Sequence, residues 1–304
     1  MMLPILHFIN LLLLPLLLVG VIRKVKALMQ TRRGAPILQP FFDIAKLLRK
    51  GETISRTASW VFIWTPRIGL AVAVLVAVLV PWSGPLLPVG WAGATNFLLV
   101  LYLLALGKFL TMLAAMDTGS AFGGLGASRE ATISLLVEPA LVIGLGALAL
   151  GARSTDLAII YAAPFHPITT MLVGCALVIA ALAELSRMPV DDPTTHLELT
   201  MVHEAMVLEN SGRNLALVEY AVAIRACILL GLAAQTFLLI LPGFAHSSVL
   251  TRYPLSVLAV FVLAALVAVA EGVLVKLKWR SVPNFLAFAT MFSLLAALVA
   301  VIQG

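Results

Sequence analysis

The sequence predicts an all-α polytopic membrane protein with eight transmembrane helices and one short amphipathic helix lying at the membrane surface. Three observations predict it. Of 304 residues, 62% are hydrophobic and 11% charged, which leaves too little polar surface to clothe a soluble globule. Apolar runs of about 20 residues, enough for one crossing of a bilayer, recur at approximately 3–22, 61–81, 96–116, 131–151, 167–187, 215–241, 255–275 and 282–302. Lysine and arginine also alternate between connectors: loops one, three, five and seven hold nine, one, two and three, while loops two, four and six hold none, one and one. A lipid-exposed backbone must satisfy its own hydrogen bonds, so each run is helical. The charge bias places the odd loops (23–60, 117–130, 188–214 and 276–281) in the cytoplasm and both termini outside, in a single membrane domain covering 1–304. The net charge of +6 follows from this topology and needs no nucleic-acid partner.

Span one has neither a basic leading segment nor a small-residue cleavage site, so it reads as a retained span and not a signal peptide. In loop one, Phe41, Ile44, Ala45 and Leu48 follow Pro40 on one helical face, with Asp43, Lys46, Arg49 and Lys50 largely on the other. That pattern predicts an interfacial helix over about 40–50, either an anchor on lipid headgroups or the rim of a shared site. Span two carries Arg67 near its inner end, within reach of the surface. Span three carries Lys108, nine residues from Asp117 and therefore about 13 Å deep, which demands a buried carboxylate partner. The glycine-rich stretch DTGSAFGGLGASRE lacks the GK[ST] of a phosphate-binding loop and reads as a tight turn against neighbouring protein. Span four then begins at Glu130 with Glu138 about 12 Å further in, and span five ends on Glu184 with Arg187 one turn on, a spacing suited to an ion pair. Span six contains Glu219 and Arg225, span seven ends near Glu271 ahead of Lys276, Lys278 and Arg280, and span eight is apolar.

Arg67, Lys108, Glu138, Glu184, Glu219, Arg225 and Glu271 thus lie within spans. Unpaired, each costs about 2.5–3.5 kcal/mol at a helix centre, together on the order of 20 kcal/mol, more than the stability of an ordinary domain. They must face one another or water. A static set of ion pairs and a proton path built from Glu130, Glu138, Glu184, Glu219, Glu271, Lys108 and Arg225 both satisfy that requirement. The stretch 183–213 concentrates six of the fourteen acidic residues, Glu184, Asp191, Asp192, Glu198, Glu204 and Glu209, a surface suited to a partner protein. Cys175 and Cys227 fall inside spans as packing residues, too few for an iron–sulfur cluster of about four ligands. His196, His203 and Glu204 lack HExxH spacing, so no metal site and no catalytic residue is assigned in this chain.

Four separated motifs carry a family resemblance: AExxRxPxD at Ala183, Glu184, Arg187, Pro189 and Asp191; Glu209-x-Ser211-Gly212; the run RRGAPILQPFFDIAKLL in loop one; and Arg129 nine residues before Glu138. With them the chain resembles, over nearly its whole length, the subunit 1 family of respiratory complex I and the membrane-bound group 4 nickel–iron hydrogenases. Within that family the stretch DTGSAFGGLGASREATISLLVEP, the reduced basic segment KLKWRSVPNF and the loss of acids at Thr194 and His196, leaving Glu198, are similar to the formate hydrogenlyase branch.

The resemblance implies a non-catalytic membrane anchor in an oxidoreductase complex of a bacterial or archaeal cell membrane, coupling electron transfer to proton translocation. It implies a docking surface or quinone-like cavity at Arg129, Arg187, Asp191, Asp192, Glu198, Glu204, Glu209, Arg33, Asp43 and Lys46. Hydrogenase large and small subunits, holding the nickel–iron site and iron–sulfur clusters, and antiporter-like membrane subunits are the implied partners. No cofactor is expected in this chain itself. A quinone-site subunit of a complex I-like oxidoreductase is the alternative, and a stand-alone ion transporter the alternative of another class.

Overall fold

The computed structural model describes residues 2–81, 95–191 and 201–303, so Asp192, His196 and Glu198 lie outside the described residues. The helices are α1 (Met2–Met29), α2 (Gln39–Arg49), α3 (Trp60–Leu79), α4 (Phe97–Asp117), α5 (Ala121–Ala152), α6 (Leu157–Ile160), α7 (Pro167–Glu184), α8 (His203–Val207), α9 (Gly212–Leu238), α10 (Val249–Val273) and α11 (Val282–Gln303). Eight of these, all but the short α2, α6 and α8, are long and apolar enough to cross a membrane. Among the described residues no strand forms; Asn96 and Asp156 make an isolated antiparallel bridge.

Helix α9 is the hub. It packs against α1, α2, α3, α7 and α10, and its buried Ala221, Ala223, Ala226, Gly231, Ala233 and Ala234 let those neighbours approach closely. On one side α4 joins α3 to α5, and α11 lies across α5 and α7; on the other, α1 and α10 close the bundle. Helix starts are stitched by side chains. Ser59 Oγ accepts from the Val61 amide at 3.1 Å, and Asp117, the last residue of α4, accepts from the amides of Ser59 (2.7 Å) and Phe62 (3.3 Å) at the start of α3.

Three local expectations are corrected. The glycine-rich stretch is not a loop: α5 is helical from Ala121, which puts Glu130 well inside it and buries that side chain. Its glycines serve close packing, since a Cβ on Gly126 would lie 2.8 Å from the Val202 carbonyl oxygen. Helix α1 continues past the expected end of span one to Met29, carrying Arg23 and Lys26 into the bundle's polar end. Finally, α7 stops at Glu184 and Ser186 takes a positive φ of 48°, which turns Arg187 away from Glu184 and removes the expected pair. The amphipathic helix is present as α2, with Pro40 in its first turn and Lys46, Arg49 and Lys50 exposed.

Candidate functional site

The buried charges gather at the end of the bundle where α7 stops short. Lys108 on α4 pairs with both Glu130 on α5 and Glu184 on α7, and all three side chains are less than one-tenth exposed. Ser186 Oγ donates to Glu130 Oε2 at 3.5 Å. Arg225 on α9 lines the same small chamber, and its buried Nε has no hydrogen-bond partner among the described residues. Two carboxylates against an ammonium and a guanidinium leave the chamber electrically balanced, the condition under which buried ions persist. Its free volume of about 20 Å³ has room for one water.

A second cluster sits in the segment that follows. Arg187 Nη1 donates to Glu271 Oε1 at 3.0 Å, and Lys26 Nζ stands 3.5 Å from Glu271 Oε2. Asp191 takes Lys276 Nζ at 2.7 Å on one oxygen and the Val202 amide at 2.8 Å on the other, while the Leu277 amide donates to the Pro189 carbonyl at 2.9 Å. Each ionisable residue of the AExxRxPxD motif therefore meets a counter-charge on another element: Glu184 on α4, Arg187 on α10, Asp191 on the segment after α10.

Between these clusters and α1, α2 and α9 opens a cavity of about 490 Å³. Leu16, Val19 and Ile22 of α1 make one apolar wall; Arg187, Asp191, Glu204, Glu219, Glu271 and Asp43 supply the polar side. Arg23 closes the mouth by pairing with Asp43 at 3.1 Å, and Gln39 Nε2 donates to the other oxygen of Asp43 at 2.9 Å. Leu185, His203 and Val222 belong to the walls of both this cavity and the Lys108 chamber, so the two voids are neighbours. A crevice of about 40 Å³ between α4 and α5 is in turn lined by Glu184 and Glu138. Glu138 is exposed on the outer face of the bundle, beside the exposed Tyr102. The voids thus run in series from the cavity, past Glu184, to a carboxylate on the bundle surface.

On the cavity wall and outside the spans, His203 and Glu204 are shifted. Burial pushes His203 down to about 4, helped by the positive charges of Arg225 and Lys108, so its imidazole is neutral at pH 7. Burial raises Glu204, with the carboxylates of Glu219 and Asp191 adding to it and Arg23 opposing.

Not every anticipated residue joins the site. Arg67 is exposed on α3 and stacks on Trp64, 5.6 Å from its ring centroid; Arg129 stacks on Trp279 at 5.5 Å. Arg33, Lys46 and Glu209 are exposed at the same end of the molecule, away from the cavity wall. Lys26, Arg23, Lys276 and His203 are site residues that spacing alone missed. Lys26 and Arg23 fell beyond the expected end of span one, and only the continuation of α1 brings them in. Among the described residues no cluster of three or more His, Cys, Asp or Glu offers a metal site.

Comparisons with known proteins bear on the family and the fold. The family described as NADH dehydrogenase matches residues 2–302. Hydrogenase-4 component C of Escherichia coli K12 is 32% identical over 88% of this chain and 85% of its own length. Formate hydrogenlyase subunit 4 of the same organism is 29% identical, covering 92% and 94%. Among solved structures, a chain of the membrane-bound sulfane sulfur reductase, an archaeal respiratory membrane complex, superposes with a TM-score of 0.80 over 98% of both chains at 20% identity, a likeness of fold.

Proposed function

The chain belongs to the NADH dehydrogenase family, in its subunit 1 line, and from that premise we propose that it anchors and proton-couples an energy-converting hydrogenase of the formate hydrogenlyase type. It is a multi-pass membrane subunit of the complex I-like and group 4 hydrogenase class. In this reading, the end of the bundle bearing α2, α8 and the 185–191 segment faces the cytoplasm, with both termini outside. It seats the hydrogenase subunits that hold the nickel–iron site and iron–sulfur clusters, while antiporter-like subunits lie beside the bundle in the membrane.

The observation that carries the reading is Lys108 held between Glu130 and Glu184 beside the cavity. Motion of the 185–191 segment changes the charge around Glu184 and hence its proton affinity, since Arg187 and Asp191 ride on the same few residues. A proton taken up from the cavity side is then passed along the crevice to Glu138 and out to a neighbouring subunit. Glu219 and Glu271 on the cavity wall are the first acceptors.

The cavity itself favours a second reading. A volume of about 490 Å³ lies within the ~300–1,000 Å³ typical of small-molecule pockets, and its apolar α1 wall facing charged groups suits a quinone. Gentle purification of the whole complex, followed by metal and quinone analysis, separates the two. Nickel with iron and no stoichiometric quinone is the expected result; flavin with one quinone per complex would replace the hydrogenase assignment by the quinone one.

A further inference from the structure

We infer that His203 is the proton relay between the cavity and the Lys108 chamber. The inference rests on the proton-coupling reading above and names the step at which a proton enters the buried cluster. Among the described residues the two voids share three lining residues, Leu185, His203 and Val222. Aliphatic side chains conduct no proton, so the imidazole is the group in this shared wall able to pass one. A neutral imidazole accepts on one ring nitrogen and donates from the other. Among the described residues no hydrogen bond holds either nitrogen, and the side chain keeps part of its surface accessible although it lies deep in the protein.

The fold fixes where the ring stands. His203 opens α8, whose Ala205, Met206 and Val207 are buried. This helix is seated on the bare backbone of Gly126 in α5, where a Cβ would lie 3.0 Å from Met206 Cγ and 3.1 Å from Ala205 Cβ. On the other side the Val202 amide donates to Asp191 Oδ2 at 2.8 Å, which ties the histidine through one residue to the segment that carries Arg187. Charge then decides how the ring works. Burial first, and then Arg225, Lys108 and Arg187, disfavour a cationic imidazole, against the pull of Asp191, so the proton passes through the neutral ring with capture and release together. Cavity water carries a proton from the carboxyl of Glu219 or Glu271, and an N–H bond forms on the cavity-side nitrogen as the N–H bond on the chamber-side nitrogen breaks. The released proton crosses the chamber, whose volume of about 20 Å³ has room for one water, to the Glu184 carboxylate. One carboxyl becomes a carboxylate, one carboxylate becomes a carboxyl, no electron moves, and a turn of the ring restores the starting tautomer. The competing route is Ser186, which lines the cavity and has its Oγ 3.5 Å from Glu130 Oε2, beyond the roughly 2.5–3.0 Å of a good O–H···O bond.

The test uses the assembled complex in inverted membrane vesicles and reads the charge moved across the membrane per hydrogen evolved, at matched dye-linked hydrogenase rates. His203→Leu completes the shared wall with a third aliphatic group. Its ratio should fall to about one-tenth of the parent's or less, since a positioned acid–base group contributes about 100-fold or more to proton transfer. In His203→Ala, added imidazole should raise the ratio severalfold, and in Glu184→Gln, which lacks the acceptor, it should raise nothing. Where His203→Leu does not assemble, His203→Ala with imidazole decides alone. A parental ratio in His203→Leu beside an uncoupled Glu184→Gln would overturn the relay and leave the proton-coupling reading standing. A parental ratio in Glu184→Gln would overturn both. A His203→Ala ratio that imidazole does not raise would make His203 a packing residue, and a loss in Ser186→Ala with none in His203→Leu would route the proton through the hydroxyl instead.

Discussion

Lys108 is the residue on which the buried cluster depends, because Glu130 and Glu184 share it. Removing one member of a buried ion set typically costs about 3–5 kcal/mol, since the remaining charges are stranded. Lys108→Met should therefore lower the thermal stability of the assembled complex sharply, and Lys108→Met with Glu130→Gln should recover part of the loss; additive losses in the double variant would show that the three do not act as one group. His203 gives a prediction in pH. Its folded value of about 4 lies below the unfolded value near 6.5, so stability is complete above pH 6.5 and is lost as pH falls from 6.5 towards 4, where only the unfolded chain takes the proton. Melting temperatures measured over that window should fall more steeply in the parent than in His203→Gln. At this scale the depth of Lys108 was legible in the sequence as a demand for buried carboxylates. The pairing of Arg187 with Glu271 was not, because helical spacing gives no sign of the left-handed turn at Ser186 that redirects it.

At the scale of elements, the start of α9 is clipped to loop one. Ser211 Oγ accepts from the Thr53 amide at 2.8 Å and donates to the Thr53 carbonyl at 3.0 Å, and Gly212 has φ +51° with the Gly51 carbonyl so close that a Cβ would lie 2.3 Å from its oxygen. That is the physical content of the Glu209-x-Ser211-Gly212 motif. Gly212→Ala meets both the backbone strain, about 1 kcal/mol or more, and the clash. It should release the 50–56 segment, and limited proteolysis should cut there several-fold faster than in the parent; unchanged cleavage would show that the clip is not what holds the loop. The eight spans were legible because mean hydropathy over about 20 residues is a strong signal. The true start of α5 was not, because its glycines read as turn residues when only the approach of Val202 reveals them as contact points.

For the whole molecule, the voids in series join a cavity bordered by six elements to a carboxylate on the outer face. Composition gave the membrane class and the resemblance gave the family, but the order of the voids depends on where α7 ends and where α1 continues. The central claim is that Glu184 and Glu138 carry protons and do more than hold helices together. Its most direct test is proton uptake per hydrogen evolved in inverted membrane vesicles containing Glu184→Gln or Glu138→Gln, compared at matched dye-linked hydrogenase rates. Proton movement that drops towards zero while the dye-linked rate stays near that of the parent is the predicted result. Proton movement at the parental ratio in both variants would contradict it and leave the carboxylates with a purely structural role.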